Sequence, residues 1–360
     1  GYSLADYLPF IQLAEIGGIY LLSAAIILVN ILVFELKNKF RINFIFLIVI
    51  VLLWAGFGFV RLKTMKLEKT ETNISIVQVS IPQDLKWEKA FLDTTLQLYR
   101  DYTKLASGSN SSLIIWPESA TPIYLLRQPK YKKFVPDLAR ENNTDIFTGF
   151  PHYEFAGSNH PRRYKFYNAA TLFDKNGKIH PSYYKIVLVP FGERIPLLNL
   201  LPFLWEIHLG QANWEYGEEL QFYDVDGYKY SPMICFEIAF EILTTKMAKN
   251  NADFIVNITN DAWFKRSAGT YQHAVMLKFR AVETRKQIYR AANTGYSLVV
   301  SPTGEFLQKT RLFERAVINE DLLIYKNNSF FTKYFSWFPI VFVMVAFIII
   351  VIFIFKVWKK

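Results

Sequence analysis

The chain has 360 residues, of which 52% are hydrophobic and 17% aromatic, and its formal net charge is +10. Its only cysteine, Cys235, excludes an internal disulfide, and the five histidines lack the spacing of a metal site, so we expect no metal and no cofactor. No module of interleaved basic and aromatic residues suggests nucleic-acid binding. We expect the positive charge to attract anionic lipid headgroups instead.

Three uncharged apolar runs cover residues 16–34, 42–60 and 339–355. As helices they would be roughly 26–28 Å long, close to the thickness of a bilayer core. Core helices of a soluble protein are the alternative, but those would show a polar stripe that these runs lack. The sequence therefore predicts a membrane region at 1–66, a separate domain at 67–331, and a last transmembrane helix with a short tail at 332–360.

The basic residues suggest which way these helices cross the membrane. Lys37, Lys39 and Arg41 fill the short loop between the first two spans, and lysines end the chain. Such residues concentrate on the cytoplasmic side, which predicts an extracytoplasmic domain. Four Lys or Arg residues at 61–69 flank the second span on the opposite side and weaken this asymmetry.

Between the spans, short β-rich runs alternate with amphipathic segments. This pattern predicts an α/β domain with a layered sheet. The predicted strands are 73–81, 112–116, 145–150, 167–173, 178–184, 228–235, 254–258, 288–292 and 297–301. The predicted helices are 87–106, 130–142, 239–250 and 272–284. A turn signal at 174–177 (DKNG) predicts a hairpin.

Four segments place reactive residue types next to predicted strands. They are WPES with Glu118, YYK with Lys185, ICFE with Cys235, and NDAWF beginning at Asn260. A carboxylate, an ammonium and a thiol at strand ends can converge on one edge of a sheet. Each alone is weak, because a lone cysteine is commonly an inert buried residue and a lone Glu or Lys is commonly a solvated one.

In this order and with these flanking residues, the four segments resemble the nitrilase (carbon–nitrogen hydrolase) superfamily. Together with YYKIVLVPFGERIP and the bracketing spans, they are similar to its apolipoprotein N-acyltransferase family. The resemblance runs over nearly the whole chain. It implies a nitrilase-like αββα sandwich plus transmembrane helices, in a chain that lacks that family's earlier membrane spans.

The resemblance also implies roles for individual residues. Glu118 would be the general base, Lys185 the oxyanion stabiliser and Cys235 the nucleophile. Further positions match residues that bind or orient the substrate: Glu193, Glu237, Trp87, Asn168 and Arg280. One departure is Lys265–Arg266 after NDAWF, where the family has glycine, and it puts the backbone of that loop in question.

The function implied is acyl transfer at a bacterial inner membrane. A phospholipid would donate a fatty acyl chain, through a Cys235 thioester, to the N-terminal amine of a diacylglyceryl-modified apolipoprotein, and the enzyme would act as a monomer. Two alternatives stay open: a membrane-anchored amidase or nitrilase-type hydrolase using water, and a lipoprotein-binding pseudoenzyme. Three spans argue against the first alternative, and the intact Glu-Lys-Cys set argues against the second.

Two apolar segments are candidates for lipid contact. Residues 197–209 (LLNLLPFLWEIHL) follow Glu193 and are unusually apolar for a loop, which predicts a mobile arm with Leu201, Phe203, Leu204 and Trp205 near the bilayer. A core-packed segment is the alternative. Residues 120–126 are a weaker candidate of the same kind.

Overall fold

Twelve strands form two six-stranded sheets in the part of the chain that this computed structural model describes, residues 1–157, 162–198, 200, 204 and 213–358. In chain order the strands are β1 (Glu68–Gln78), β2 (Leu113–Ile115), β3 (Asp145–Phe155), β4 (Tyr164–Phe173), β5 (Tyr183–Tyr184), β6 (Tyr223–Val225), β7 (Tyr228–Ile234), β8 (Phe254–Thr259), β9 (Gln287–Ala292), β10 (Leu298–Val300), β11 (Phe306–Lys309) and β12 (Ala316–Ile324).

The α-helices lie before, between and after these strands. They are α1 (Leu8–Ile11), α2 (Ala14–Glu35), α3 (Phe40–Thr64), α4 (Gln83–Lys86), α5 (Leu92–Ser107), α6 (Pro129–Lys132), α7 (Phe134–Glu141), α8 (Glu241–Lys249), α9 (Ala268–Thr284), α10 (Phe330–Tyr334) and α11 (Phe338–Trp358). Short 3-10 turns cover Tyr2–Leu4, Lys89–Phe91, Cys235–Ala239, Asp261–Phe264 and Phe335–Trp337.

The two sheets have matching topologies. Their strand orders are β12-β1-β2-β3-β4-β5 and β11-β10-β9-β8-β7-β6. The neighbours β1, β2 and β3 are parallel in the first sheet, as are β7, β8 and β9 in the second. The carboxyl ends of parallel strands share one edge of a sheet, where ligand sites of α/β proteins form. The segments after β2, β7 and β8 therefore open toward the same region.

Alternating apolar residues build a four-layer sandwich. Ile115 on β2 and Ile258 on β8 belong to the core between the two sheets. Ile114, the next residue along β2, faces the opposite side and packs in the cluster that contains Tyr99 of α5. On the other side of the molecule, Ile255 of β8 packs with Leu277 of α9. This arrangement of helix, sheet, sheet and helix confirms the αββα fold.

Several observed helices and strands are shorter than predicted, because the local backbone cannot continue the helix or strand. The predicted helix 87–106 begins as α5 at Leu92, because Glu88 is extended (φ −76°, ψ 126°). The predicted helix 130–142 is split into α6 and α7, since Pro136 has no N–H to donate within a continuous helix. The predicted strand 178–184 shrinks to β5, next to Pro181. Strands β6, β11 and β12 were not predicted.

Helices α2 and α3 are long and apolar enough to cross a bilayer, and α11 contains a shorter apolar stretch, Val343–Phe355. Only 17% and 11% of the most apolar windows of α2 and α3 are buried in the protein. Helices of a soluble core would be covered by other elements. The exposed apolar surface therefore fits lipid contact and a membrane protein.

A break in α2 lies beside the α/β domain. Gly17 and Gly18 leave the helical conformation, and Gly18 has a φ of 61°. A Cβ at Gly18 would lie 2.6 Å from the ring of Phe331. The helix resumes at Ile19, whose N–H donates to Oε1 of the buried Glu283 on α9 (2.9 Å). A carboxylate is favourable there, at the positive end of the helix dipole.

Glu15 connects both membrane helices to the domain. Its carboxylate accepts from Arg61 at the end of α3 (2.6 Å) and from Arg285 after α9 (2.7 Å). The Arg285 side chain is fully buried and also donates to Gln12 and to the carbonyl of Pro302, both at 2.9 Å. This network ties the start of α2 and the end of α3 to the second sheet.

Candidate active site

Glu118 lies three residues after β2, in a turn that leads toward the second sheet. Oε1 of its buried side chain accepts from Nδ2 of Asn168 on β4 (2.7 Å), and Oε2 accepts from the N–H of Asn260, just after β8 (2.8 Å). Gly149 on β3 allows the close approach of this turn, because a Cβ there would lie 2.9 Å from Cα of Glu118. One carboxylate is thus held by groups from both sheets.

Lys185 follows β5 and is buried between two carboxylates. Its Nζ lies 2.8 Å from Oε1 of Glu193 and 3.9 Å from Oε1 of Glu118. Burial alone would lower the pKa of Lys185, but the negative charges that Cys235, Glu118 and Glu193 carry when ionised outweigh burial and raise that pKa above its ordinary value. The ammonium therefore stays charged in a largely dry site.

Glu193 and Asn168 hold the side chains of Glu118 and Lys185 in position. Glu193 accepts from Lys185, from Nδ2 of Asn168 (3.2 Å) and, through Oε2, from the N–H of Val189 (2.8 Å). Asn168 donates to Glu118 and Glu193 at once. The structure therefore brings four of the sequence-predicted residues, Glu118, Lys185, Glu193 and Asn168, into one connected network.

Cys235 begins the 3-10 turn directly after β7, one residue beyond the strand, with a φ of 54°. Burial and the charge of Glu118 raise the pKa of its thiol to about 12, although Lys185 and a hydrogen bond with Thr259 lower it. Both Glu118 and Lys185 thus act electrostatically on this sulfur. The resting thiol of Cys235 is therefore protonated, and a base is needed to ionise it near neutral pH.

Glu237 is fully buried two residues after the cysteine. It accepts from the N–H groups of Ile186 (2.6 Å), Val187 (3.0 Å) and Ile234 (2.7 Å), and from the hydroxyl of Tyr183 (2.8 Å). Burial raises its pKa. Its contacts join the segment after Lys185 to the end of β7, so it fixes the spacing of lysine and cysteine.

The remaining two predicted residues lie differently. Trp87 is half exposed (50%) at the end of α4, where it is free to meet a substrate. Arg280 is buried on α9, where it pairs with Glu241 (3.2 Å) and Glu283 (2.7 Å). Arg280 also donates to the carbonyl of Ala239, at the end of the turn that Cys235 begins (3.3 Å). Its assignment to substrate positioning stays a prediction.

Sequence reasoning missed Lys86, which is buried beside the site. Its Nζ donates to the backbone carbonyl of Glu118 (3.1 Å), and burial lowers its pKa to about 8. Trp87 was predicted to be a site residue, but Lys86 directly before it was not. A lysine in a polar segment such as 82–89 is expected to be exposed to solvent, so nothing in the sequence predicted that Lys86 is buried.

The sequence also did not predict a group of buried polar residues that contacts the backbone of Cys235. Asp261, His273 and Arg290 are all buried and hydrogen-bonded to one another, and His273 reaches the carbonyl of Cys235. One feature of the sequence could have indicated this group, because Arg290 is the single charged residue in the predicted strand 288–292. A charge in a central strand requires a buried partner.

The structure shows the backbone conformation at Lys265, where the sequence has lysine in place of the family's glycine. Lys265 has φ 49° and ψ −141°, a region that glycine adopts far more readily than lysine. With Lys265 in this conformation, the N–H of Asn260 donates to Glu118 and the carboxylate of Asp261 pairs with His273. Trp263 and Phe264 beside it are exposed.

The two candidate lipid-contact segments have different outcomes. Leu201, Phe203 and Trp205 of the predicted arm lie outside the described residues. Of its other members, Leu197 and Leu200 are exposed, whereas Leu198 is buried and Leu204 partly buried. The weaker candidate, residues 120–126, is wrong as a lipid arm, since Ala120 and Leu125 are buried in the core against the first sheet.

Comparison with known proteins agrees with this geometry. The carbon–nitrogen hydrolase family matches residues 73–323. An apolipoprotein N-acyltransferase of Geobacter metallireducens is 34% identical, over 94% of this chain and 66% of that protein. One of Haemophilus ducreyi is 30% identical, over 96% of this chain and 69% of that protein. This chain belongs to the carbon–nitrogen hydrolase family, in its apolipoprotein N-acyltransferase branch. It spans about two thirds of the length of these curated relatives.

Solved structures agree on the fold. An amidase from Nesterenkonia sp. has a TM-score of 0.52 at 20% identity, over 72% of this chain and 92% of that one. Another structure of an amidase from that source shows acrylamide added at its active-site cysteine. At this identity the likeness supports the carbon–nitrogen hydrolase sandwich alone.

Proposed function

We propose that this protein transfers a fatty acyl chain from a phospholipid to the N-terminal amine of a diacylglyceryl-modified cysteine on an apolipoprotein, through a thioester on Cys235. One observation carries the proposal. Glu118 and the ion-paired Lys185 both act on the pKa of Cys235, the only thiol, within a domain tied to bilayer-length helices.

Acylation of the enzyme needs a base and an oxyanion site. Cys235 attacks the ester carbonyl while Glu118 accepts the thiol proton, and Lys185 stabilises the oxygen that becomes negative. The C–O bond then breaks, the departing lysophospholipid alkoxide takes the proton from Glu118, and a thioester remains. The buried ion pair supports this chemistry, because charges act strongly where water is excluded.

Transfer to the acceptor reverses the same proton path. The amine of the apolipoprotein attacks the thioester, Glu118 accepts a proton from the nitrogen, and the C–S bond breaks. The proton then returns to the Cys235 sulfur and an amide is left on the acceptor. A thioester is more reactive than the donor ester, which splits one difficult transfer into two steps.

The membrane side and the substrate-positioning residues belong to this proposal. The order of the spans along the chain and the basic residues beside them support a domain outside the cytoplasm of a bacterial inner membrane. Residues 67–331 would be the catalytic unit, and the protein would act as a monomer. Glu193, Glu237 and Asn168 would position the lysine, the cysteine and the base. Trp87 would contact the substrate from its exposed position.

Intact-mass analysis tests the proposal. The purified protein, mixed with a phospholipid of one defined acyl chain, should gain the mass of that chain, and Cys235→Ser should not. Adding a diacylglyceryl peptide should remove the added mass and yield an N-acylated peptide. Release of free fatty acid with no peptide acylation would instead support the hydrolase, and no acyl-enzyme from wild type would refute the mechanism.

A further inference from the structure

The group behind the nucleophile has a defined geometry. Nδ1 of His273 lies 2.9 Å from Oδ1 of Asp261, and Nε2 lies 3.2 Å from the carbonyl oxygen of Cys235. Arg290 donates to Oδ2 of Asp261 (2.7 Å) and to the side chain of Asn257 (2.6 Å), and its Nη2 is 3.0 Å from Nδ1 of His273. The side chains of Asn257, Arg290, Asp261 and His273 therefore form one hydrogen-bonded group. His273 joins this group to the backbone carbonyl of Cys235.

The charges of this group fix the histidine ring. Buried Arg290 and His273 both lower the pKa of Asp261 far below its usual value and more than offset the opposing effect of burial, so the carboxylate is ionised. Nε2 of His273 faces the carbonyl oxygen of Cys235, which can only accept a hydrogen bond, so Nε2 is the donor of that bond. Gly295 leaves room for the carboxylate, since a Cβ there would lie 2.4 Å from Oδ2 of Asp261.

The hydrogen bond to the Cys235 carbonyl orients a peptide plane. The peptide between Cys235 and Phe236 is trans, as are all those described, so its C=O and N–H point in opposite directions. His273 belongs to α9, on the outer face of the second sheet, whereas Lys185 belongs to the first sheet. A carbonyl turned toward α9 therefore turns the N–H of Phe236 toward the side that holds Lys185 and Glu118.

This orientation must be maintained against backbone strain. Cys235 has a φ of 54°, which costs on the order of 1–3 kcal/mol for a residue other than glycine and persists only where the surroundings impose it. The first N–H groups of a helical turn also lack partners within the turn. Together these features leave the N–H of Phe236 available to a developing oxyanion.

We infer that His273, oriented by Asp261 and Arg290, is a positioning residue that aims the Phe236 N–H as the second oxyanion donor beside Lys185. This inference rests on the proposed function for the identity of the acyl donor only. It concerns attack on any carbonyl, so an activated ester tests it whatever the natural substrate is.

The test separates carbonyl attack from thiol reactivity. Acylation by p-nitrophenyl butyrate passes through an oxyanion, whereas alkylation by iodoacetamide does not, and both modify the single cysteine. We expect His273→Leu to slow acylation on the order of 10²-fold, the lower end of the cost of losing an oxyanion donor, and to leave alkylation unchanged. His273→Gln, which keeps a donor near the Nε2 position, should restore most of the acylation rate.

Two further variants complete the experiment. His180→Leu changes a partly buried histidine that pairs with Asp174 in a distant turn, and it should match wild type in both reactions. If His273→Leu does not fold, Asp261→Asn takes its place and should lose acylation but not alkylation. The inference is wrong if these variants slow both reactions equally, or if acylation is unaffected. A wild type that reacts with the butyrate ester but not with phospholipid would refute the proposed donor alone.

Discussion

At the scale of single residues, the protonation of Cys235 is governed by two opposite charges. Burial and Glu118 raise the pKa of the thiol to about 12, while Lys185 lowers it. At neutral pH only a very small fraction of the thiol is ionised, and the thiolate fraction grows as pH rises. Removing either neighbour should therefore move the thiol pKa in a direction that the geometry specifies.

We predict that Glu118→Gln lowers the pKa of Cys235 and Lys185→Met raises it. At mildly alkaline pH, iodoacetamide should alkylate Glu118→Gln faster than wild type and Lys185→Met more slowly. Both variants should nevertheless lose most thioester formation, since one lacks the proposed base and the other the proposed oxyanion cation, a loss on the order of 10²-fold or more.

Exposed residues of the same types serve as controls. Glu141→Gln and Lys178→Met, both on the surface, should behave like wild type in alkylation and in acyl transfer. Slower alkylation of Glu118→Gln would mean that the carboxylate does not raise the thiol pKa, and the charge arrangement described for the resting site would be wrong.

At the scale of elements, the sequence predicted most of the sandwich but not its irregular positions. The strands β2, β7, β8 and β9 were found because buried parallel strands read as continuous apolar runs. Edge strands such as β11 and β12 were missed, since their half-exposed residues carry no such signal.

The residues of the candidate site also fall into two groups, those that sequence motifs predicted and those that only the structure reveals. Glu118, Lys185 and Cys235 were identified from motifs at strand ends, and the structure brings them together. His273 on α9 bonds to the carbonyl of Cys235 and is held by Asp261 after β8, and no local pattern predicts contacts between such separate elements. Arg280 matched a motif position, yet its partners are set by the packing of α9 against α2, which only the three-dimensional structure defines.

The junction of α2, α3 and α9 should depend on Glu15. Glu15→Ala leaves the buried guanidinium of Arg285 and that of Arg61 without their shared carboxylate. Breaking a buried ion pair from one side costs roughly 3–5 kcal/mol. We expect a clear drop in the apparent melting temperature of the detergent-solubilised protein.

Glu35→Ala, at the opposite end of α2, is the matched control. Its side chain accepts only from Asn38 on the exposed loop, among the contacts described, so the change should stay within about 0.5 kcal/mol. Equal melting temperatures for Glu15→Ala and Glu35→Ala would show that the Glu15 network does not hold the helices to the domain.

At the scale of the whole molecule, the helices and the domain define which side of the membrane each loop occupies. Helices α2 and α3 leave the domain and return to it, with exposed Asn38 at the far turn. Ser109, also exposed, follows α5 in the domain. The two positions should therefore lie on opposite sides of the bilayer.

We predict an extracytoplasmic Ser109 and a cytoplasmic Asn38. A Cys235→Ala background contains no other cysteine, so Asn38→Cys and Ser109→Cys can each be labelled alone in cells whose inner membrane is intact. A membrane-impermeant maleimide should label Ser109→Cys at once and Asn38→Cys only after the membrane is disrupted. The reverse pattern, or a reporter at Lys360 found outside, would overturn the orientation.

The four hydrogen bonds that Glu237 accepts have a consequence for local unfolding. The backbone amides of Ile186, Val187 and Ile234 share one carboxylate, although they belong to segments from different sheets. Their amide protons should exchange with deuterated solvent at one common rate, because opening either segment removes the acceptor of the other. Glu237→Gln should accelerate all three together. The lysine and the cysteine of the site would then lose their order in a single cooperative event.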